Sequence, residues 1–268
     1  MKTNENYTLI TGASMGLGKE LAIEFARTGK NLILVALPGQ NLPQLSKEIN
    51  LTFGTKTVAK ECDLTNENAL LELTDDILSN YKVDQLINNA GVGGTAAFET
   101  SSIEYLQQII HLNVRATTFL TRLMLPSLKE HKKALIMNIA SVAAFGALPY
   151  KTVYPASKAF IYSFSRSLSR ELRNTGIKVV VVTPGQIMTN RDVTERIMKQ
   201  GLLGRIGLLT ACQISRIALK GAEKGKEVIV PGFMNRLNRF LIRITPEQLR
   251  LSLMDKVLQK ELTITASF

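Results

Sequence analysis

The sequence contains few residues that build metal or disulfide sites. Its two cysteines, Cys62 and Cys212, lie far apart, and neither belongs to a Cys-x-x-Cys pair. A disulfide framework or a thiolate metal site is therefore not expected. The two histidines, His111 and His131, stand in unrelated contexts, which disfavours a histidine-rich metal site. We predict no bound metal and a reduced, cytoplasmic setting.

Long apolar runs are missing, and no export signal is expected. No stretch approaches the roughly 18 uninterrupted apolar residues that suggest a membrane-spanning helix. The opening residues MKTNEN lead directly into an apolar run, so no cleavable leader is expected. The chain has no repeat, no low-complexity block and no linker rich in Pro, Gly or Ser. Its 268 residues, 45% of them hydrophobic, therefore predict a single soluble domain over 1–268.

The charge of the chain is unbalanced, with a formal net charge of +11. Basic residues outnumber acidic ones by 19 to 15 up to Asn190 and by 14 to 7 beyond it. Such an excess attracts phosphate whatever the fold. No nucleic-acid motif or aromatic stacking platform accompanies it, so no nucleic-acid partner is expected.

Short apolar runs alternate with longer segments of helical periodicity. The runs at 32–35 and 179–182 are continuously apolar, which indicates strands buried on both faces. The alternation predicts an α/β fold, a doubly wound parallel sheet with helices on both faces. The predicted strands are 7–11, 31–36, 56–60, 83–87, 134–140, 177–182 and 227–230, and the predicted helices include 16–28, 66–80, 101–128 and 151–174.

The first strand-to-helix turn is rich in glycine and reads TGASMGLG over 11–18. Gly12 can make a tight turn, Gly16 lets the backbone approach a diphosphate, and Gly18 permits close packing of helix on strand. The spacing is Gly-x3-Gly-x-Gly rather than the common Gly-x-Gly-x2-Gly. Taken alone, the turn leaves a purely structural role open.

Further motifs follow in order and make the chain resemble the short-chain dehydrogenase/reductase family, from Tyr7 to about Thr189 and again near Val230. After the glycine turn they are Cys62-Asp63-Leu64, Asn88-Asn89-Ala90-Gly91, Asn113, Ser141, Tyr154-x3-Lys158 and Pro184-Gly185. The resemblance implies a Rossmann-like domain and an NAD(P)-dependent oxidoreductase. Such an enzyme transfers a hydride between a nicotinamide cofactor and a carbonyl or alcohol carbon of a small molecule.

Tyr154 and Lys158 are four residues apart and would share one face of a helix. A nearby ammonium lowers the pKa of a tyrosine from its usual value of about 10, so the pair suits general acid/base chemistry. In isolation, the same spacing would more often be a core tyrosine beside a solvated lysine. The resemblance implies that Tyr154 protonates the carbonyl oxygen, Ser141 positions it, Lys158 also holds the nicotinamide ribose, and Asn113 holds a proton-relaying water.

The resemblance also implies a cofactor site that is assembled from several turns. Asp63 would accept a hydrogen bond from the adenine amino group, residues 89–91 would lie beside the ribose, and Ile187 and Thr189 would contact the nicotinamide carboxamide. Structural roles stay open: Asp63 as a helix cap, Asn89 as a buried hydrogen-bonder and Thr189 as an N-cap. The full cofactor set is Gly12, Ser14, Met15, Gly16, Leu17, Gly18, Asp63, Leu64, Asn89, Ala90, Gly91, Tyr154, Lys158, Pro184, Gly185, Ile187 and Thr189.

The residues that would choose between NAD(H) and NADP(H) depart from the family pattern. The second strand ends Val35-Ala36-Leu37-Pro38, with neither the acidic residue of an NAD site nor the basic residue of an NADP site. Met15 occupies a position where NADP-selective relatives often carry Arg or Lys. Because no acidic side chain would repel a phosphate and the chain is basic, NADP(H) is favoured over NAD(H), with dual use left open.

The segments beyond the strand ends, 92–98, 142–149 and 186–210, should face the substrate. They are apolar on balance, which suggests a lipophilic ketone or aldehyde, although packing against a sheet would give the same pattern. Residues 190–210 are predicted to form a movable substrate lid.

The tail over 231–268 is predicted to be helical, and we expect the protein to form a homo-oligomer. Between Phe233 and Ile244, apolar residues at helical spacing stand beside three arginines and no acidic residue. Such a helix can lie on an anionic bilayer, which would suit a lipid-like substrate. Packing of its apolar side on the body or on a second subunit is the favoured alternative.

Two other function classes stay open. A nucleotide-binding regulator without turnover is disfavoured, because Asn113, Ser141, Tyr154 and Lys158 are all in place. A binder of phosphate backbones or membranes, driven by charge, is the remaining alternative.

Overall fold

The computed structural model describes residues 5–188 and 207–265. Its first half alternates strand and helix, each strand followed by a helix that returns the chain to the sheet. The elements are β1 (Asn6–Thr11), α1 (Gly16–Arg27), β2 (Asn31–Ala36), α2 (Leu42–Phe53), β3 (Thr57–Glu61), α3 (Glu67–Asn80) and β4 (Lys82–Asn88).

The second half contains a helix interrupted by a π-helical segment and then three more strands of the main sheet, β5, β6 and β9. In order, the elements are a 3₁₀ turn (Phe98–Thr100), α4 (Ile103–Ile109), a π-helical segment (Ile110–Ala116), α5 (Thr117–Lys129), β5 (Ala134–Ile139), a 3₁₀ turn (Val142–Phe145), α6 (Val153–Glu171), β6 (Ile177–Val182), β7 (Ile187–Met188), β8 (Leu209–Thr210), α7 (Ala211–Glu223), β9 (Val228–Ile229), α8 (Phe233–Ile244) and α9 (Glu247–Thr265).

Seven strands form one sheet in the order β3-β2-β1-β4-β5-β6-β9. Every neighbouring pair is parallel. The order reverses between β1 and β4, which is where ligands bind in doubly wound sheets. The predicted fold class is confirmed. A separate short pair, β7 with β8, lies outside this sheet.

The core lies on both faces of the sheet. Alternate residues of β2 enter different clusters: Leu32 and Leu34 pack with α1, whereas Ile33 and Val35 pack with α3. The continuous apolar runs are therefore explained by burial on both sides, as predicted from the sequence.

Element ends differ from the sequence prediction by at most three residues, and the strands at 31–36 and 177–182 match at both ends. The last strand is limited to Val228–Ile229, and the predicted helix over 101–128 is interrupted by the π-helical segment. Hydrogen-bond pairing with β6 sets the length of β9, and such pairing is not visible in local periodicity.

Helix α8 does not pack its apolar side on the body, so that part of the favoured alternative is wrong, whereas packing on a second subunit stays a prediction. Phe233, Phe240 and Ile244 are 69%, 58% and 60% exposed. The opposite face is fixed instead: the buried Asn235 amide donates hydrogen bonds to the carbonyls of Gly207 and Pro231. Among the described residues, no helix has the length and apolar character needed to cross a membrane.

Candidate active site

The glycine turn joins β1 to α1 in a conformation that requires glycine. Gly12 and Gly16 have φ angles of +63° and +56°, a region that side chains with a Cβ rarely adopt. A Cβ on Gly18 would collide with the carbonyl oxygen of Gly12. The turn thus presents the N-terminus of α1 without side chains in front of it, as an anion site needs.

Residues after β4 hold this turn in place. The Asn89 amide donates hydrogen bonds to the carbonyl oxygens of Thr11 (2.9 Å) and Gly12 (3.1 Å). The Thr11 hydroxyl accepts from the backbone N–H groups of Asn89 and Ala90, both at 3.0 Å. This arrangement gives Asn89 the structural role left open by the sequence, and it adds Thr11 as a supporting residue that the sequence prediction did not include.

A cavity of about 410 Å³ lies in front of the turn. The Asp63 carboxylate at its edge accepts hydrogen bonds from the backbone and hydroxyl of Thr65. Asn66, rather than Asp63, caps α3 by accepting from Ala69 N–H, so the helix-cap alternative for Asp63 is wrong. The predicted cofactor residues that line this cavity are Gly12, Ser14, Met15, Gly16, Leu17, Gly18, Asp63, Leu64, Asn89, Ala90 and Gly91.

A second cavity of about 340 Å³ contains the predicted catalytic side chains Ser141, Tyr154 and Lys158. It also reaches the predicted cofactor residues Pro184, Gly185 and Ile187. Leu17, Asn89 and Gly91 line both cavities. The two spaces therefore adjoin in one cleft, which opens between β1 and β4 at the reversal of strand order.

Ser141, Tyr154 and Lys158 come from two adjacent elements. Ser141 follows β5 and caps the next 3₁₀ turn, while the other two lie on the first turns of α6. The side chains of Ser141 and Tyr154 are hydrogen-bonded. Lys158 is buried, and its Nζ lies 5.9 Å from the centre of the Tyr154 ring and donates to the Ile139 carbonyl at 3.0 Å.

The pKa of Tyr154 is raised rather than lowered, contrary to the sequence prediction. Burial of the phenol is the largest cause, and its hydrogen bond with Ser141 acts in the opposite direction. Burial also lowers the pKa of Lys158 to about 8. The prediction failed because it counted the charge of the neighbouring ammonium and not the cost of removing both groups from water.

Asn113 lies in the π-helical segment and is buried. Its amide accepts from Val92 N–H and donates to the Val92 carbonyl, both at 2.9 Å, and donates to the Ser157 hydroxyl at 2.9 Å. These bonds tie the loop after β4 to α6, next to Tyr154. The side chain is therefore committed to protein partners, and its predicted role in holding a water stays a prediction.

Several other predicted site residues lie elsewhere. Val142 does not line the cavity of Tyr154, and Phe145 packs edge-on against Tyr162 with ring centres 5.2 Å apart. Phe98 is 59% exposed. Thr189 and most of the predicted lid, up to residue 206, lie outside the described residues.

The end of the cleft near β2 carries little charge. Leu37, Met15, Ser14 and Gln40 line it, and Ser14 donates to Gln40 at 2.5 Å. The Glu61 carboxylate at the end of β3 accepts from Gly39 N–H at 3.1 Å without lining the cavity. This glutamate was missed because strand pairing, not sequence position, brings Glu61 beside Ala36.

The chain belongs to the short chain dehydrogenase family, whose pattern it matches over residues 6–200. The glycine turn and the Tyr-x3-Lys pair are among the motifs from which this family was predicted, and the match confirms that prediction.

Known relatives are similar over much of the chain. It is 34% identical to 17-beta-hydroxysteroid dehydrogenase type 3 of Mus musculus over 192 residues, 70% of this chain and 62% of the mouse protein. It is 33% identical to ketoacyl reductase HetN of Nostoc sp. over 227 residues, 83% of this chain and 77% of that protein. A short-chain dehydrogenase from Sphingobium yanoikuyae in complex with NADPH has a TM-score of 0.76 and 27% identity, covering 91% of this chain and 97% of that one.

Proposed function

We propose that the protein is an NAD(P)-dependent oxidoreductase acting on the carbonyl or alcohol group of a lipophilic small molecule. The observation that carries the proposal is the single cleft in which the glycine turn adjoins Ser141, Tyr154 and Lys158. A dinucleotide spanning this cleft would place its diphosphate at the N-terminus of α1 and its nicotinamide near Tyr154. The glycine positions fit such a ligand because a Cβ at Gly18 would move the turn.

A nicotinamide cofactor held in this cleft would supply or accept the hydride. The Tyr154 hydroxyl donates the proton to the substrate oxygen during reduction, and its raised pKa keeps that proton on the phenol at neutral pH. The Ser141 hydroxyl, already bonded to Tyr154, positions the same oxygen. Lys158, with a pKa of about 8, is mostly charged near neutrality and favours the phenolate left after proton transfer. Asn113 holds the Val92 wall of the cavity in place.

A lipophilic substrate is supported by the cavity and by the relatives. Val92, Ile187 and Pro184 provide apolar wall beside Tyr154. The names of two relatives specify a hydroxysteroid and a ketoacyl group, and each of these carries an alcohol or carbonyl group on a carbon skeleton. We propose a substrate of this kind for the chain.

NADP(H) is the proposed cofactor. Among the described residues that line this cavity, the one carboxylate is Asp63, which accepts hydrogen bonds from Thr65. Leu37, Gln40 and Met15 are uncharged, so a 2′-phosphate beside them would meet no negative side chain. The relative from Sphingobium yanoikuyae is in complex with NADPH.

Tyr154→Phe tests the mechanism. The variant should lose at least about 100-fold in turnover, because it cannot donate the proton, while NADPH binding stays close to that of the parent. Turnover would be followed by nicotinamide absorbance with a panel of ketones, and binding by calorimetry.

Tyr150→Phe is the matched control, since this hydroxyl bonds to Gln259 and not to the catalytic side chains. It should keep most of the activity. A Tyr154→Phe protein as fast as the parent would refute the assignment, and NADPH binding without turnover of any ketone by the parent would indicate a regulator instead.

A further inference from the structure

Helix α8 has two faces that differ sharply in environment. Phe233, Leu237, Phe240, Leu241 and Ile244 recur at helical spacing and form one exposed stripe, in which each side chain is between 37% and 69% exposed. Asn235 and Ile242 are seven residues apart, nearly two full turns, and they lie on the opposite side, where Asn235 is buried. The apolar stripe therefore points away from the body of the protein.

Leu249 and Leu253 of the following helix are also exposed, at 54% and 53%. An apolar side chain stabilises a protein only when it is removed from water. No part of the described chain packs over this stripe and buries it. An exposed patch of this kind marks a surface that contacts a partner or a membrane.

Basic side chains flank the stripe. Arg236 and Arg243 are exposed on α8, and Phe233–Ile244 contains no acidic residue. Beside the helix lies a cavity of about 430 Å³ that is lined by five cations and no carboxylate. These cations are Lys220, Lys224, Lys226, Arg236 and Arg239.

We propose that α8 is a membrane-docking helix that lies flat on an anionic lipid surface. Its apolar stripe would enter the boundary between headgroups and acyl chains, and the flanking cations would contact lipid phosphates. This surface is separate from the catalytic cleft, because none of its residues lines either cavity of that cleft.

The charge of the surface favours lipid over a second copy of the chain. A symmetric dimer contact pairs a patch with itself, which would bring the basic side chains of two copies together without acidic partners in α8. The nearest glutamates by sequence are Glu223, Glu227 and Glu247, and Glu227 already lies 3.7 Å from Arg166. An anionic bilayer neutralises these cations, whereas a second copy would repel them.

The test measures retention of the full-length protein on sedimenting vesicles. The wild type should bind vesicles that contain phosphatidylglycerol and phosphatidylcholine, bind vesicles of phosphatidylcholine alone much less, and be released by salt. Arg236→Gln with Arg243→Gln should lower the partition coefficient about 25-fold, roughly fivefold for each arginine. Phe240→Ser should lower it about tenfold.

Matched controls remove the same kinds of side chain elsewhere. Lys47→Gln with Arg170→Gln removes two exposed cations, and Leu51→Ser removes an apolar side chain that is 78% exposed. Both controls should bind like the wild type. Dinucleotide binding and circular dichroism confirm that each variant is folded.

The proposal is overturned if the wild type does not sediment with the anionic vesicles, or if the α8 variants and the controls bind equally. Light scattering measures the molecular mass of each variant in solution and so detects contact between copies of the chain. A loss of molecular mass in Phe240→Ser without vesicle binding by the wild type would assign the stripe to contact between copies and would likewise overturn the proposal.

Discussion

Lys158 shows how burial sets the chemistry of a single residue. The residue is 5% exposed, and its ammonium donates a hydrogen bond to the backbone oxygen of Ile139. The charged form is therefore disfavoured, and the pKa falls from 10.5 to about 8. The same burial raises the pKa of Tyr154. Each group is thus held closer to its neutral form than it would be in water.

This burial predicts a pH dependence of stability. The unfolded chain binds the Lys158 proton up to about pH 10.5, whereas the folded chain releases it near pH 8. Stability should rise with pH across that window, because there the unfolded state binds more protons. The penalty is fully present below pH 8 and absent above pH 10.5.

Lys158→Met removes the destabilising contribution of the buried ammonium. The stability of the variant relative to the wild type should therefore be highest near neutral pH and fall by about 3 kcal/mol across the window, since one pKa unit corresponds to about 1.4 kcal/mol. Urea unfolding of both proteins without cofactor measures the difference. Parallel stability profiles for the two proteins would contradict a buried, destabilised ammonium.

At the scale of elements, the glycine turn depends on contacts between β1, α1 and the loop after β4. Gly18 sits against the Gly12 carbonyl, and the Asn89 amide bonds to that same carbonyl at 3.1 Å. A change at Gly18 therefore acts on the turn backbone itself rather than on a flexible side chain.

Gly18→Ala should weaken dinucleotide binding at least about tenfold. The added methyl group would collide with the Gly12 carbonyl and displace the N–H groups that face the diphosphate. Gly54→Asn is the control: Gly54 ends α2 at a φ of +67° with no atom within 4 Å of an added Cβ, and asparagine tolerates that conformation. Calorimetric titration with NADPH measures the affinity of both variants. Unchanged affinity in Gly18→Ala would show that the turn does not hold the diphosphate.

On the scale of the whole molecule, residues from both halves of the sheet line the cleft. One cavity is built mainly from residues of the first four strands and their turns, and the other also draws on β5, α6 and the residues after β6. A ligand that contacts both halves binds the folded state only. It should therefore stabilise the entire domain by mass action.

NADPH at about 100 times its dissociation constant should stabilise the protein by about 2.7 kcal/mol. For a domain of this size, that corresponds to a rise in Tm of about 5–10 °C. NADH at the same concentration should give a smaller rise. Thermal unfolding with each cofactor measures both shifts.

Leu37→Asp should reverse this cofactor preference, because a carboxylate beside the cleft repels the 2′-phosphate and can bind the ribose hydroxyls. Leu71→Asp, on exposed surface away from the cleft, is the control. Equal shifts by NADPH and NADH in the wild type would contradict the proposed preference for NADP(H).

The alternation of strand and helix, the glycine turn, and the one-turn spacing of Tyr154 and Lys158 can be read from the amino-acid sequence alone. These features are local: periodicity and residue type over a few positions specify them. The parallel sheet followed from runs that are apolar on both faces, and their division between the two core clusters confirms that reasoning.

Three features depend on the folded arrangement of the chain: the hydrogen bond from Asn89 to Gly12 across 77 residues of sequence, the effect of burial on the pKa values of Tyr154 and Lys158, and the direction in which α8 turns its apolar stripe. The amphipathic pattern of α8 fixed two faces but not which one meets the body. Burial and exposure depend on segments distant in sequence, so the pattern of one segment does not contain them.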